Sequence, residues 1–194
     1  MYFFLEAECS RDFLRVYTCM RQPRKLEKGA RYHIIARVNR RELILDSGEM
    51  KLFFLDVVKK AKDKYDFSVI NFCIMGNHVH FIIRPGEKEN LSDIMRWILS
   101  VFAMRYNRLH NVIGHVWYDR FKSVILGDIR QFLKTFLYIM ENPVKAGIVK
   151  HAEEFEHNGI WYLKRRIYGL IEPPDIVLRL LLPGICETSI FLTA

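Results

Sequence analysis

The dipeptide Gly76-Asn77 constrains the fold more than any other feature, because it separates two apolar runs, residues 67–75 and 78–84. Both runs are rich in β-branched and aromatic residues, and a two-residue loop of this composition closes a tight antiparallel hairpin. Pairing outward from the turn sets Met75 opposite His78 and Cys73 opposite His80. Side chains alternate along a strand, so His78 and His80 share one face while Val79 and Phe81 take the other. Two imidazoles side by side are either half of a metal site or two ordinary strand histidines. Cys73 is within reach of the same ligand, but a small buried cysteine is the commoner outcome.

Around this hairpin the pattern alternates. Residues 32–38 read as a first strand. Asp46 with Glu49 makes a capping-box start for a helix whose apolar stripe is Met50, Phe53, Phe54, Val57, Val58 and Ala61. Lys59, Lys60, Lys62 and Lys64 fall mainly off that stripe, on a solvated face. Asn90 or Ser92 caps a second helix, with Ile94, Met95, Ile98, Val101 and Phe102 at helical spacing, ending near Asn111. Residues 115–126 read as a fourth strand and residues 128–142 as a third helix stopped by Pro143.

The order β-α-β-β-α-β-α predicts an α+β fold whose first six elements follow the ferredoxin-like plan. That plan is an antiparallel sheet with two helices on one face, which leaves the other face for something else. The predicted organisation is an N-terminal extension at 1–20, a domain at 21–150, and a partly helical C-terminal tail at 151–194 packing on the body or on a second copy. Helices at 161–170 and 175–182 are expected in that tail. Met20 stands directly before a basic run, so residues 1–19 are either an upstream extension or a short helix on the body.

The formal charge is +8, and residues 11–41 carry ten Lys or Arg against Asp12 and Glu27. The whole surplus therefore lies in that segment, which favours a polyanionic partner such as nucleic acid or serves solubility alone. Four scattered cysteines without a C-x-x-C pair argue against a zinc knuckle or a disulfide framework. No run is long and apolar enough to span a bilayer, and the first residues lack the basic flank of a signal peptide; a cytoplasmic protein with no membrane partner is expected.

Turning about 100° per residue along the third helix places Phe132, Leu133, Phe136, Leu137, Ile139 and Met140 on one arc. Lys134, Tyr138 and Asn142 fall on the opposite, polar stripe beside Gln131. A tyrosine usually buries its ring, so one in the middle of a polar stripe reads as a presented phenol. Asn142, four residues on, can offer an amide oxygen to a hard cation, or simply end a helix before Pro143.

With these residues in view, Gly76 to Ile83 (G-N-H-V-H-F-I-I) resembles the histidine-hydrophobic-histidine (HUH) motif of single-tyrosine transposases. Residues 138–149 (Y-I-M-E-N-P-V-K-A-G-I-V) resemble the catalytic-tyrosine segment of one branch, the REP-associated tyrosine transposases. Residues 114–123 (G-H-V-W-Y-D-R-F-K-S) resemble that branch's G-H-x-W-x-x-R-F-x-S signature. The resemblance implies an enzyme that cuts and rejoins single-stranded DNA beside a folded hairpin, repetitive palindromic elements among them, through a 5′-phosphotyrosine. It implies Tyr138 as nucleophile, His78, His80 and Asn142 as metal ligands, and Mg²⁺ or Mn²⁺ as the cofactor. Related transposases include monomers and homodimers in which the tyrosine works in trans.

For DNA binding, Arg120 and Lys122 on one side of the fourth strand, Lys134, Lys145, Arg24 and Lys25 are the candidates. Arg120 serves equally as an anchor for a carboxylate. Trp117 and Phe121 read as core, His115 as an ordinary strand histidine, and His33, on the first strand, as a reserve ligand.

A histidine-triad hydrolase is excluded because the third alternating position is Ile82. A two-motif phosphodiesterase fails for want of a second H-x-T or H-x-S. The remaining rival is a non-catalytic ferredoxin-like module that binds nucleic acid with its histidines incidental.

Overall fold

Four strands, β1 (Tyr32–Arg37), β2 (Phe67–Ile74), β3 (His78–Pro85) and β4 (Lys122–Ile125), form one antiparallel sheet in the order β2-β3-β1-β4. The computed structural model describes residues 24–186, so the alternatives for residues 1–20 lie outside the described residues. The Gly76-Asn77 loop closes the central hairpin, with Met75 N–H donating to the His78 carbonyl at 2.9 Å and Cys73 paired with His80. Two further bonds hold this turn. Val38 N–H donates to Asn77 O and Leu45 N–H to Gly76 O.

Helices α1 (Gly48–Lys64) and α2 (Leu91–His110) lie on one face, as the ferredoxin-like plan requires. They bury Phe54, Val57, Val58 and Ala61, and Ile94, Met95, Ile98 and Phe102, against Ile34, Ala36, Val79, Phe81 and Ile83 of the sheet. Ser47 caps α1, one residue later than the Asp46 the sequence suggested, by accepting from Met50 N–H. Asn90 caps α2, and Asn111 ends it in the left-handed region at φ 49°.

The opposite face carries a second core. Helix α3 (Ile129–Met140), capped by Asp128, lays Phe132, Phe136 and Ile139 over Cys73, Met75 and Ile82. The chain after residue 150 completes this layer through Phe155, Ile160, Leu163, Ile171 and Leu178 of the same molecule. It also lines the outer edge of β2: Ile74 N–H donates to His157 O at 3.0 Å and Glu172 N–H to Val69 O at 2.9 Å. Lys62, on the α1 face read as solvated, pairs with Glu172 at 2.8 Å.

Three sequence expectations need correction. Residues 115–121 are not strand. Trp117 makes a lone bridge with Val38, with Asn39 N–H donating to Val116 O and Tyr118 N–H to Arg37 O. It also turns its indole N–H to the Leu99 carbonyl at 2.9 Å, which ties this stretch to α2 as well as to the end of β1. Arg120 therefore does not share a strand face with Lys122.

The helix expected over residues 128–142 ends at Met140, and α4 (Asn142–Lys145) begins after Glu141. Pro143 has no N–H with which to continue the ladder. The expected helix at 161–170 is only α5 (Gly159–Lys164), because Arg166 and Gly169 take positive φ values of 55° and 141°. Two short helices follow, α6 (Ile176–Leu181) and α7 (Pro183–Cys186). No helix among the described residues is long and apolar enough to cross a membrane.

Candidate metal and nucleophile site

Directly opposed residues in a ladder share a face. Arg37 faces His78, Ile35 faces His80 and His33 faces Ile82, so His33, Ile35, Arg37, His78 and His80 all look toward the α3 side. The row extends to the sheet edge, since Ile35 also faces Lys122 of β4. Lys122 is thus two strand spacings, about 10 Å, from His80.

Helix α3 brings Tyr138 over this row from the same chain. Its ring centre lies 5.5 Å from that of His80 and 6.2 Å from that of His33, in edge-on geometry to both. Two buried amides fix the helix on either side of Tyr138. Asn71 Nδ2 donates to the Phe136 carbonyl at 3.0 Å, and Asn158 Nδ2 donates to the Met140 carbonyl at 2.7 Å.

Asn71 can do this because the register slips between Val69 and Asn71, a bulge that turns Asn71 toward α3. Gly159 passes so close that a Cβ there would lie 2.3 Å from Asn71 Oδ1, so no larger residue fits. Tyr138 itself is 43% exposed. Lys145, paired with Glu141, holds its Nζ 5.6 Å from the tyrosine ring centre.

The histidines are neutral electron-pair donors. Burial, then the neighbouring His78, His33 and Arg37, push the His80 imidazole down to about 3. Burial and Arg37 lower His78, and burial lowers His33. His78 Nδ1 lies 2.7 Å from Asn77 Oδ1, and Asn77 Nδ2 donates to the Arg41 carbonyl at 3.4 Å. His33 Nε2 and His80 Nδ1 are 3.0 Å apart, and the two rings are inclined at 20° with their centres 5.3 Å apart, so they meet edge to edge through these nitrogens. Both motif histidines are thereby engaged at Nδ1 and keep Nε2 for another partner.

The fit to a cation can be tested on these distances. An ion held by bonds of about 2.1 Å to two imidazoles keeps their ring centres roughly 5 Å apart. Those of His78 and His80 are 5.0 Å apart and inclined at 85°. Among the described residues no group of three His, Cys, Asp or Glu side chains could hold a metal. An amide oxygen is a donor of another kind, and Asn142 lies four residues beyond Tyr138. Its Nδ2 donates to the Tyr138 carbonyl at 3.0 Å, and its Oδ1 has no hydrogen bond among the described residues. Cys73 is fully buried and its thiol is pushed up to about 12, so it stays protonated.

The basic candidates divide into two groups. Lys122, Lys134 and Lys145 are exposed on the side of the histidine row and α3. Arg24 and Arg120 line a cleft of about 620 Å³ between α2 and residues 114–121, with Arg96 and Tyr118. Arg24 stacks its guanidinium 3.7 Å above the Phe121 ring; burial and the neighbouring Arg120 lower its pKa, against Asp119. Lys25 is exposed next to it. Arg37, exposed opposite His78, was not singled out from the sequence, although period-two spacing from His33 was enough to find it.

The histidine pKa values carry a stability consequence. A folded-state pKa below the unfolded value means that the unfolded chain binds more protons, so stability falls as pH falls. The metal-free protein is expected to lose thermal stability progressively from about pH 6.5 toward about pH 3 through His80. In His80→Gln the melting-temperature profile should be flatter over that window; a profile parallel to that of the wild type would contradict a buried neutral His80.

Residues 27–142 match the family described as Transposase IS200 like. A Haemophilus influenzae protein named as a REP-associated tyrosine transposase is 22% identical over 132 residues, covering 63% of this chain and 73% of the relative. A solved structure of a REP-associated tyrosine transposase bound to a REP hairpin superposes with a TM-score of 0.64 at 20% identity. It covers 81% of this chain and 93% of the other, and that likeness speaks for the fold. The family match includes the paired histidines, the signature at 114–123 and the tyrosine helix; this chain belongs to the IS200-like transposases, a family of enzymes.

Proposed function

We propose that this protein is a metal-dependent endonuclease and strand transferase acting on single-stranded DNA beside a hairpin, with Tyr138 as nucleophile and His78, His80 and Asn142 as metal ligands. The carrying observation is the Tyr138 ring 5.5 Å from His80 within one chain. The REP-associated relatives support a hairpin substrate, with repetitive palindromic elements as its class. The catalytic unit is residues 21–150, and the described residues after 150 cover its second face. A second copy is not needed to bring the tyrosine to the histidines; a homodimer would join two complete sites.

The chemistry follows from the side chains. The Tyr138 oxygen attacks the scissile phosphorus and loses its proton; the bond from phosphorus to the 3′-oxygen breaks, leaving a 5′-phosphotyrosine and, after protonation, a 3′-hydroxyl. A bound Mg²⁺ or Mn²⁺ would supply positive charge to a phosphate oxygen and to the departing 3′-oxygen. Neutral imidazoles and an amide oxygen suit that role because they leave the cation's charge uncancelled. The ester survives in the phosphotyrosine, so the 3′-hydroxyl of another strand can reverse the step and complete transfer.

Arg37 and Lys122 flank the histidine row and hold phosphates there; Lys134 and Lys145 do so along the tyrosine helix. Arg24, Lys25 and Arg120 extend the track to the cleft beside α2. The test is a denaturant-resistant adduct with a hairpin-bearing oligonucleotide in Mn²⁺, whose absence on every hairpin tried would favour a binding module. Arg37→Ala and Lys122→Ala should each reduce the slope of log affinity against log salt by about 0.7 for a single strand. An unchanged slope would remove that residue from the track.

A further inference from the structure

We infer that Asn77 and His33 are positioning residues that set the ring tautomers of His78 and His80, so that both Nε2 lone pairs face one cation site. The inference rests on the metal-binding reading above and extends it to two residues outside the histidine pair and Tyr138.

The two contacts are alike in kind. Each pairs the Nδ1 of a motif histidine with a polar atom that is not itself a proposed ligand, at 2.7 Å for His78 with Asn77 and at 3.0 Å for His80 with His33. An imidazole that binds a cation through one nitrogen commonly donates the hydrogen on its other nitrogen to such a partner, which fixes both tautomer and orientation.

For His78 the direction is settled by Asn77. Its Nδ2 points to the Arg41 carbonyl, so the atom facing His78 is Oδ1, which can only accept. His78 then carries its hydrogen on Nδ1 and a lone pair on Nε2.

For His80 two neutral rings share one hydrogen, and the assignment is that His80 Nδ1–H donates to His33 Nε2. The opposite arrangement would put a hydrogen on His80 Nε2 and close that nitrogen to a cation. His33 does not ligate the same ion instead, because its Nε2 is taken by this contact. The position first read as a reserve ligand is thus an orienting group. His33 also meets the Tyr138 ring edge-on, so it lies beside both the nucleophile and His80.

Long-range ¹H–¹⁵N spectra of histidine-labelled, metal-free protein should show His78 and His80 as Nδ1–H tautomers. In His33→Leu the His80 signals should shift toward the Nε2–H form, and Mn²⁺ affinity read by electron paramagnetic resonance should weaken about 10- to 100-fold. His33→Gln, which can place an amide oxygen near the position of Nε2, should restore most of that affinity. Asn77→Ala should weaken Mn²⁺ binding similarly, and Asn77→Asp, which keeps the acceptor, should not.

An Nε2–H His80 in the wild type overturns the inference, as does a His33→Leu chain with unchanged tautomer and affinity. Equal loss in His33→Leu and His33→Gln also overturns it, because packing would then be the cause. A wild type with both rings in the Nδ1–H form but no Mn²⁺ affinity overturns the metal reading and upholds the tautomer assignment.

Discussion

A Tyr138→Phe chain is expected to bind a hairpin-bearing single strand as the wild type does and to form no covalent adduct with it. The substitution removes one oxygen, which makes no hydrogen bond among the described residues, and keeps the ring against His80 and His33 at 5.5 and 6.2 Å. Folding stability should therefore be unchanged, while cleavage falls by about 10⁴-fold or more, the range expected when a nucleophile is removed. A surviving adduct would assign the nucleophile elsewhere. Because the tyrosine meets the histidines within one chain, a mixture of Tyr138→Phe and His80→Ala chains should stay as inactive as either alone. Recovered cleavage in the mixture would show the tyrosine working in trans.

The second large effect lies under the tyrosine. Phe136 is fully buried between α3 and the sheet, and its carbonyl is the one held by Asn71. Phe136→Ala should destabilise the protein by about 3–5 kcal/mol, the cost of losing a large core aromatic and leaving a cavity. It should also lower adduct yield by more than the unfolded fraction explains, because α3 loses the anchor two residues before Tyr138. Urea denaturation gives the first number and adduct yield at matched folded concentration gives the second. Unchanged stability would mean that α3 does not dock through this side chain.

Much of this was legible in the sequence because local rules agreed with one another. The Gly76-Asn77 turn, the alternation of His78 and His80, and the polar-stripe position of Tyr138 each follow from spacing alone. What failed was decided by distant contacts. Residues 115–121 have strand composition, yet Trp117 finds its hydrogen-bond acceptor on α2, a partner no local pattern reveals. Asn71 looks like an interruption in an apolar strand until the bulge turns it to the Phe136 carbonyl. The same holds for Asn158, whose amide oxygen caps α5 while its amide nitrogen holds the end of α3. Side-chain to backbone bonds across such separations leave no periodic trace.

The lining of the β2 edge has a consequence for damaged gene copies. Residues 157 and 172 occupy backbone positions that a neighbouring strand would otherwise take. A premature stop between residues 142 and 157 would spare every residue of the family match and still uncover eight residues of mostly buried strand. An open, apolar strand edge recruits other strands. Shortened copies of this gene would therefore yield self-associating protein, with no idle, soluble DNA binder left to compete with the intact enzyme.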